Sequence, residues 1–263
     1  REFPFTHAVA IRSVARTCSP EAIDVHVSDD LTGQPVWDAL VRDVPVLRQR
    51  PLAVPAMLDR AAGFGVDRQA LAKVYDRFLA ERRFAALSDI LRYLVLLCDG
   101  GVYLDLDVIV VRDLAPLRAR AGFCGRERIL VTAAVHRRGN PLRYVRTGPL
   151  DLARLVCSKA ARGIAWWHAI EGAFPAAVNG AVLGLSPGHP LAIAALAAVP
   201  SRADDVERRR PAIGPDLLQD LIDGEGRTDV EVLPPVAFYP LGPTMAAHYF
   251  AECDNVREKA ALV

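Results

Sequence analysis

Apolar residues recur at helical spacing over His7–Arg16. A short β-branched run, Ile23–Val27, follows and ends in the acidic turn Ser28-Asp29-Asp30. Helix, strand and acidic turn in that order open an alternating α/β chain. Pro45, Pro51 and Pro55 punctuate what reads as a loop region. Over Asp67–Arg83 the stripe Leu71, Val74, Tyr75, Phe78 and Leu79 predicts an amphipathic helix. A second helix is predicted over Leu87–Cys98, capped by Ser88 or a neighbour. It stops at Gly100-Gly101, where glycine accepts the left-handed backbone that ends helices. Val102–Leu104 and Val108–Val111 read as buried strand runs interrupted by Asp105 and Asp107.

Beyond the turn at Pro116, five further segments are candidate strands: Phe123–Glu127, Ile129–Val135, Ala177–Leu185, Val230–Leu233 and Val236–Tyr239. Pro190–Val199 and Asp216–Ile222 are candidate helices, the latter opened by Pro215, and Arg137–Pro149 reads as a polar loop. Neither an internal repeat nor a linker-like tract divides the chain, so one α/β domain over residues 1–263 is expected.

Composition narrows the classes. Hydrophobic residues make up 52% and charged residues 24%, as in a globular protein. A net charge of +1 speaks against a global field for nucleic acid or acidic lipid. The basic residues are mostly arginine, suited to bidentate contacts with phosphate or carboxylate. Five scattered cysteines, Cys18, Cys98, Cys124, Cys157 and Cys253, lack zinc-type spacing, and no disulfide framework is expected of them. A reducing compartment fits them, which makes a cytoplasmic protein, or one peripheral to the inner face of the membrane, the expected setting. No apolar run reaches the roughly 18 residues of a membrane span.

The chemistry concentrates between Asp89 and Asp107. In an extended segment, Asp105 and Asp107 point to one side while Leu106 points into the core. Two such carboxylates suit Mg²⁺ or Mn²⁺, a hard cation that keeps open positions for substrate phosphates. An isolated Asp-x-Asp is most often a strand-end turn. Here the glycine stop before it and the Val-Ile-Val-Val run after it favour a site. Asp89 and Arg92 lie three apart on the predicted helix and share a face, where they could meet a sugar or ribose or simply pair with each other.

Ser88-Asp89-Ile-Leu-Arg92-Tyr, with Gly100-Gly101-Val-Tyr103-Leu-Asp105-Leu-Asp107 beyond it, resembles the signature of glycosyltransferase family 32. It is also similar to the catalytic domain of clostridial glucosylating toxins. Weaker likenesses lie at Ile11-Arg12-Ser13, Gly125-Arg126-Glu127, Asn179-Gly180-Ala181, Pro187-Gly188-His189-Pro190, Gly214-Pro215 and Phe238-Tyr239-Pro240. The resemblance implies a GT-A fold, a central mixed sheet flanked by helices. It implies a retaining transferase that moves a hexosyl or N-acetylhexosaminyl group, with a role in polysaccharide biosynthesis. The donor is a nucleotide-sugar, UDP-linked or GDP-mannose, and the acceptor a glycan, a lipid-linked saccharide or another hydroxyl compound.

On that likeness, Asp89, Arg92, Tyr103, Asn179 and Gly180 bind the donor, and Asp105 and Asp107 hold Mn²⁺ or Mg²⁺. His248 is the nearest candidate for a further metal ligand. Glu127 and Asp216 are the carboxylates to test on the acceptor side. The family's first strand, ending in an aromatic residue near the base, would fall just before Arg1. Two other readings share the motif. One is a nucleotide-sugar binder without turnover. The other is a haloacid-dehalogenase-like phosphohydrolase with Asp105 as nucleophile and Lys159 and Asp204-Asp205 recruited downstream.

Overall fold

The computed structural model describes residues 2–129, 144–160, 163–204, 212–224, 229–242 and 245. Two compact units emerge, and the chain passes between them more than once. The first comprises Arg1–Phe123 and Ala181–Val230, the second Cys124–Gly180 and Glu231–Val263.

The first unit opens with α1 (Phe5–Cys18), β1 (Ile23–Val27), α2 (Pro35–Asp43) and β2 (Leu47–Pro51). β1 and β2 pair in parallel, with Ile23 opposite Leu47 and Val27 opposite Pro51. Phe3, Ala8, Ile11, Val25, Trp37, Leu40, Val44 and Leu47 form the core beneath them. The expected proline-rich loop is therefore corrected in part. Leu47–Pro51 is a strand whose two arginines, Arg48 and Arg50, reach Asp24 across the ladder at 2.6 and 3.1 Å. Cross-strand ion pairing supplies what the polar sequence hides.

Next come α3 (Val54–Ala62), α4 (Arg68–Ala80) and α5 (Phe84–Asp99). Asp67 caps α4 by accepting from the Ala70 N–H. The predicted stripe holds at Leu71, Val74 and Phe78, whereas Leu79 is half exposed. α5 begins a turn earlier than expected, so Ser88 lies inside it rather than capping it. Packing against α3, α4 and α8 (Pro190–Arg202) buries α5 almost all round.

Gly100 ends α5 at φ +65°, and Gly101 follows at φ +99°. A Cβ on Gly100 would stand 2.5 Å from the Pro187 side chain, so close approach as well as backbone angle requires glycine there. The Gly188 N–H donates to the Leu97 carbonyl at 2.8 Å, and His189 caps α8 by accepting the Leu191 N–H at its Nδ1. The Pro-Gly-His-Pro turn thus joins two helices.

β3 (Gly101–Leu104) pairs antiparallel with the end of β5 (Ala176–Leu185), Leu104 opposite Val182. β6 (Glu231–Leu233) and all but the first two residues of β4 (Gly122–Arg128) fall in the second unit, as does the first half of β5. Parallel and antiparallel pairings both occur, in the mixed α/β architecture that was expected. α9 (Pro215–Gly224) completes the first unit.

The second unit adds α6 (Tyr144–Lys159), α7 (Gly163–Ile170) and α10 (Pro235–Phe238), and its core gathers Cys157, Ile164, Trp167, Phe174, Leu241 and Met245. Two expectations fail here. Tyr144–Pro149 is helical rather than loop, and Pro235–Phe238 forms a helical turn rather than a strand. Pro235 occupies the first helical turn, where its missing N–H costs nothing. The expected strand at 130–135 and loop residues 137–143 lie outside the described residues. No helix among the described residues is long and apolar enough to cross a membrane.

Candidate functional site

Two of the side chains that α5 buries are charged: Asp89 is 9% exposed and Arg92 6%. Charges removed from water need partners. Arg92 Nη1 lies 3.3 Å from Asp89 Oδ1, and Nη2 donates to Asp105 Oδ1 at 3.3 Å. The guanidinium carbon sits 4.5 Å from the centre of the Tyr103 ring, an attractive cation–π arrangement. The Tyr103 hydroxyl donates to the same Asp105 oxygen at 2.7 Å. Arg92 Nε is buried without a hydrogen-bond partner among the described residues. One guanidinium therefore bridges two carboxylates, stacks on an aromatic ring and keeps an unused N–H.

Burial pushes the Asp89 carboxyl up to about 6; Arg92 opposes the shift and the charge of Asp105 adds to it. Burial works against the Arg92 cation, but Tyr103, Asp89 and Asp105 together hold it above its ordinary value. Gly214, at the entrance of α9, lies against Asp89: a Cβ there would stand 2.5 Å from Oδ2. The wholly buried Tyr93 donates its hydroxyl to the Ile213 carbonyl at 3.1 Å, fastening this turn to α5. Tyr93 is the last residue of the Ser88–Tyr93 stretch of the motif read from the sequence. Its partner lies 120 residues away, which periodicity does not reveal.

The aspartate pair departs from its expected geometry. β3 ends at Leu104, and residues 106–107 form a turn closed by the Val108 N–H donating to the Asp105 carbonyl at 3.0 Å. Leu106 is 36% exposed rather than in the core, and Val108–Val111 is not a strand; only Val110 is buried. A turn cannot alternate side chains across a sheet. Asp105 is tethered to β5 by its N–H, which donates to the Ala181 carbonyl at 2.9 Å.

Among the described residues no group of three or more His, Cys, Asp or Glu side chains forms a metal cage. Two carboxylates two residues apart at one turn fit a cation that takes its remaining ligands from water and phosphate oxygens. They do not make a closed protein site. His248, the expected further ligand, lies outside the described residues.

In the second unit, Asn179 Nδ2 donates to Glu127 Oε2 at 2.5 Å. Burial raises the Glu127 carboxyl, while the Asn179 bond and Arg154 oppose the rise. Gly180 follows Asn179 on β5. Gly125 is a contact glycine, since a Cβ there would come 2.5 Å from the Phe238 ring. Asp216 stands in the first turn of α9 in the first unit. Asp204, needed by the phosphohydrolase reading, is instead a surface ion pair with Arg77 at 2.7 Å.

Residues 8–124 match the family model described as the glycosyltransferase sugar-binding region containing a DXD motif. That stretch contains Asp89, Arg92, Tyr103, Asp105 and Asp107, so what the chain is similar to there is a DXD-type sugar-transferase region. Among solved structures, the chain is similar to one titled PaToxG glycosyltransferase. The identity is 14%, the TM-score 0.53, and the match covers 99% of this chain and 74% of that one. No curated protein matches the chain.

Proposed function

We propose that this protein is a metal-dependent, retaining glycosyltransferase that moves a hexosyl or N-acetylhexosaminyl group from a UDP-sugar to a hydroxyl of a glycan or lipid-linked saccharide. The observation that carries the reading is the cluster of buried Asp89 and Arg92 with half-buried Tyr103 and Asp105, and the unused Arg92 N–H within it. Buried polar networks are costly, and a ligand that completes the hydrogen bonding accounts for one left open.

Asp105 and Asp107 would hold Mn²⁺ or Mg²⁺, with His248 a candidate third ligand. When bound, such an ion neutralises charge that develops on the departing diphosphate. Arg92 presents a fixed positive charge toward the phosphates, and Tyr103 keeps Asp105 oriented. Asp89 accepts from donor sugar or ribose hydroxyls, with Asn179 and Gly180 contributing on the sugar side. The acceptor oxygen forms its bond to the anomeric carbon as the carbon–oxygen bond to the diphosphate breaks. The acceptor proton passes to the leaving phosphate oxygen or to a carboxylate, for which Glu127 and Asp216 are the candidates. A role in polysaccharide biosynthesis in the cytoplasm, or at the inner face of a membrane, agrees with a saccharide acceptor.

The test is nucleotide-sugar hydrolysis and transfer with and without Mn²⁺, beside thermal-shift measurements on the same donors. A true donor stabilises the protein only when metal is present. Asp105→Ala and Asp107→Ala should each reduce turnover by about 10²-fold or more, the scale of losing a principal electrostatic contribution. Full activity in both variants removes the reading. Metal-dependent donor binding without turnover on any acceptor identifies a binder instead.

A further inference from the structure

The segment after the aspartate turn is held in an unusual way. Ile109 is 51% and Val111 70% exposed, yet Val110 between them is 8% exposed. Burying Val110 takes its N–H and carbonyl out of water, and both need partners. α1 supplies them. Ser13 Oγ accepts the Val110 N–H at 2.9 Å, and Thr17 Oγ1 donates to the Val110 carbonyl at 3.3 Å. Ser13 and Thr17 are four apart on one helix face and so meet the same short stretch of chain. Ser13 spends its own proton on the Ala10 carbonyl at 2.6 Å, which leaves its oxygen free to accept. Two hydroxyls thus do for Val110 what a neighbouring strand does elsewhere.

The consequence falls on Asp107. Asp105 is fixed by its backbone bond to Ala181 and by Tyr103 and Arg92 at its carboxylate. No hydrogen bond or ion pair holds the exposed Asp107 side chain among the described residues. Its placement depends on the backbone alone. The turn anchors it on one side and the Val110 clasp, three residues on, anchors it on the other. We infer that Ser13 and Thr17 are positioning residues for Asp107, setting the spacing of the aspartate pair through Val110. The inference rests on the reading that this pair holds a divalent cation.

The experiment uses the full chain and Mn²⁺ alone, with free Mn²⁺ followed by electron paramagnetic resonance and Val110 amide exchange followed by NMR. Ser13→Ala/Thr17→Val should speed Val110 exchange and raise the Mn²⁺ dissociation constant, each by about tenfold, the scale of losing one or two hydrogen bonds. Thr17→Ser alone keeps the hydroxyl and should leave both at their wild-type values. In turnover, the loss should appear in the Mn²⁺ concentration needed and be recovered at saturating metal. If the double variant does not fold, the near-isosteric Thr17→Val decides alone.

Unchanged Val110 exchange overturns the clasp. Faster exchange with unchanged Mn²⁺ affinity makes the clasp merely structural and overturns the inference while leaving the proposed function intact. Wild-type Mn²⁺ binding that is indifferent to Asp107→Ala overturns the cation reading and the inference together.

Discussion

Tyr103 donates its hydroxyl to Oδ1 of Asp105 at 2.7 Å, and Arg92 reaches that same oxygen at 3.3 Å. The aspartate nearest β3 is therefore oriented by two donors before any ligand arrives. Tyr103→Phe keeps the ring beneath Arg92 and removes one of these bonds. A hydrogen bond to a charged group is worth about 1.5–3 kcal/mol, so turnover should fall by roughly 10- to 100-fold. The thermal midpoint should move by only a few degrees, because Tyr103 is only half-buried. Steady-state kinetics at saturating metal beside a melting curve separates the two effects.

Arg92 is the only cation that reaches both Asp89 and Asp105 within salt-bridge distance among the described residues. Arg92→Ala leaves a carboxylate buried without its counter-charge and should destabilise the fold by about 3 kcal/mol. Arg92→Lys retains the charge but loses the plane that stacks on Tyr103, so stability should recover more than turnover does. Urea unfolding of the three proteins checks the order: wild type, then lysine, then alanine.

Asp89 gives the pH dependence. Its carboxyl rises from 3.8 to about 6 on folding because burial disfavours the charge. The native state thus holds this proton more tightly than the unfolded state does. The stability contributed by the group is full below pH 3.8 and is lost as pH rises through about 6. A shift of about two units corresponds to roughly 3 kcal/mol. Asp89→Asn should flatten that part of the profile. Donor binding should instead weaken in Asp89→Asn at every pH, because the proposed acceptor from sugar hydroxyls is gone. Urea midpoints of both proteins between pH 4 and 7 give the difference directly.

Much of this was legible in the chain because the relevant signals are local. Ile23–Val27 is bounded by turn residues on its acidic side, and the buried stripe of α4 repeats at helical spacing. Asp89 and Arg92 share a face by spacing alone. The failures share one cause, partners distant in sequence. Leu47–Pro51 is a strand because Asp24 holds its arginines. Val108–Val111 has strand composition, but hydroxyls of α1 take the backbone groups a strand would offer. The environment of Asp89 depends on the 212–214 turn, which no pattern around Asp89 announces.

Gly100 and Gly101 allow a controlled comparison. Both have positive φ, +65° and +99°, but only Gly100 abuts another chain segment: an added Cβ would stand 2.7 Å from the Pro187 nitrogen. Gly101 faces open space. Gly101→Ala should cost about 1–2 kcal/mol of backbone strain. Gly100→Ala adds a steric clash of about 1–3 kcal/mol and should lower the thermal midpoint further. It should also disturb the bond from Gly188 to Leu97 that closes the end of α5. Equal midpoints for the two variants contradict the contact.

Gly214 tests whether the seat of Asp89 matters to the donor. It is buried, and a methyl there would lie 2.5 Å from Asp89 Oδ2 and 2.9 Å from Oδ1. The carboxylate cannot stay where it is beside that methyl, so it must rotate away and loosen its pairing with Arg92. Overpacking of this kind costs about 1–3 kcal/mol of stability. If Asp89 receives donor hydroxyls, Gly214→Ala should weaken binding of the nucleotide-sugar donor in the presence of Mn²⁺ by about tenfold, one hydrogen-bonding group's worth. Mn²⁺ binding alone should hold, since Asp105 keeps Tyr103 and Asp107 keeps its turn. Isothermal titration with metal first and nucleotide-sugar second distinguishes these steps. Unchanged sugar-nucleotide affinity in a folded Gly214→Ala protein removes Asp89 from the donor site.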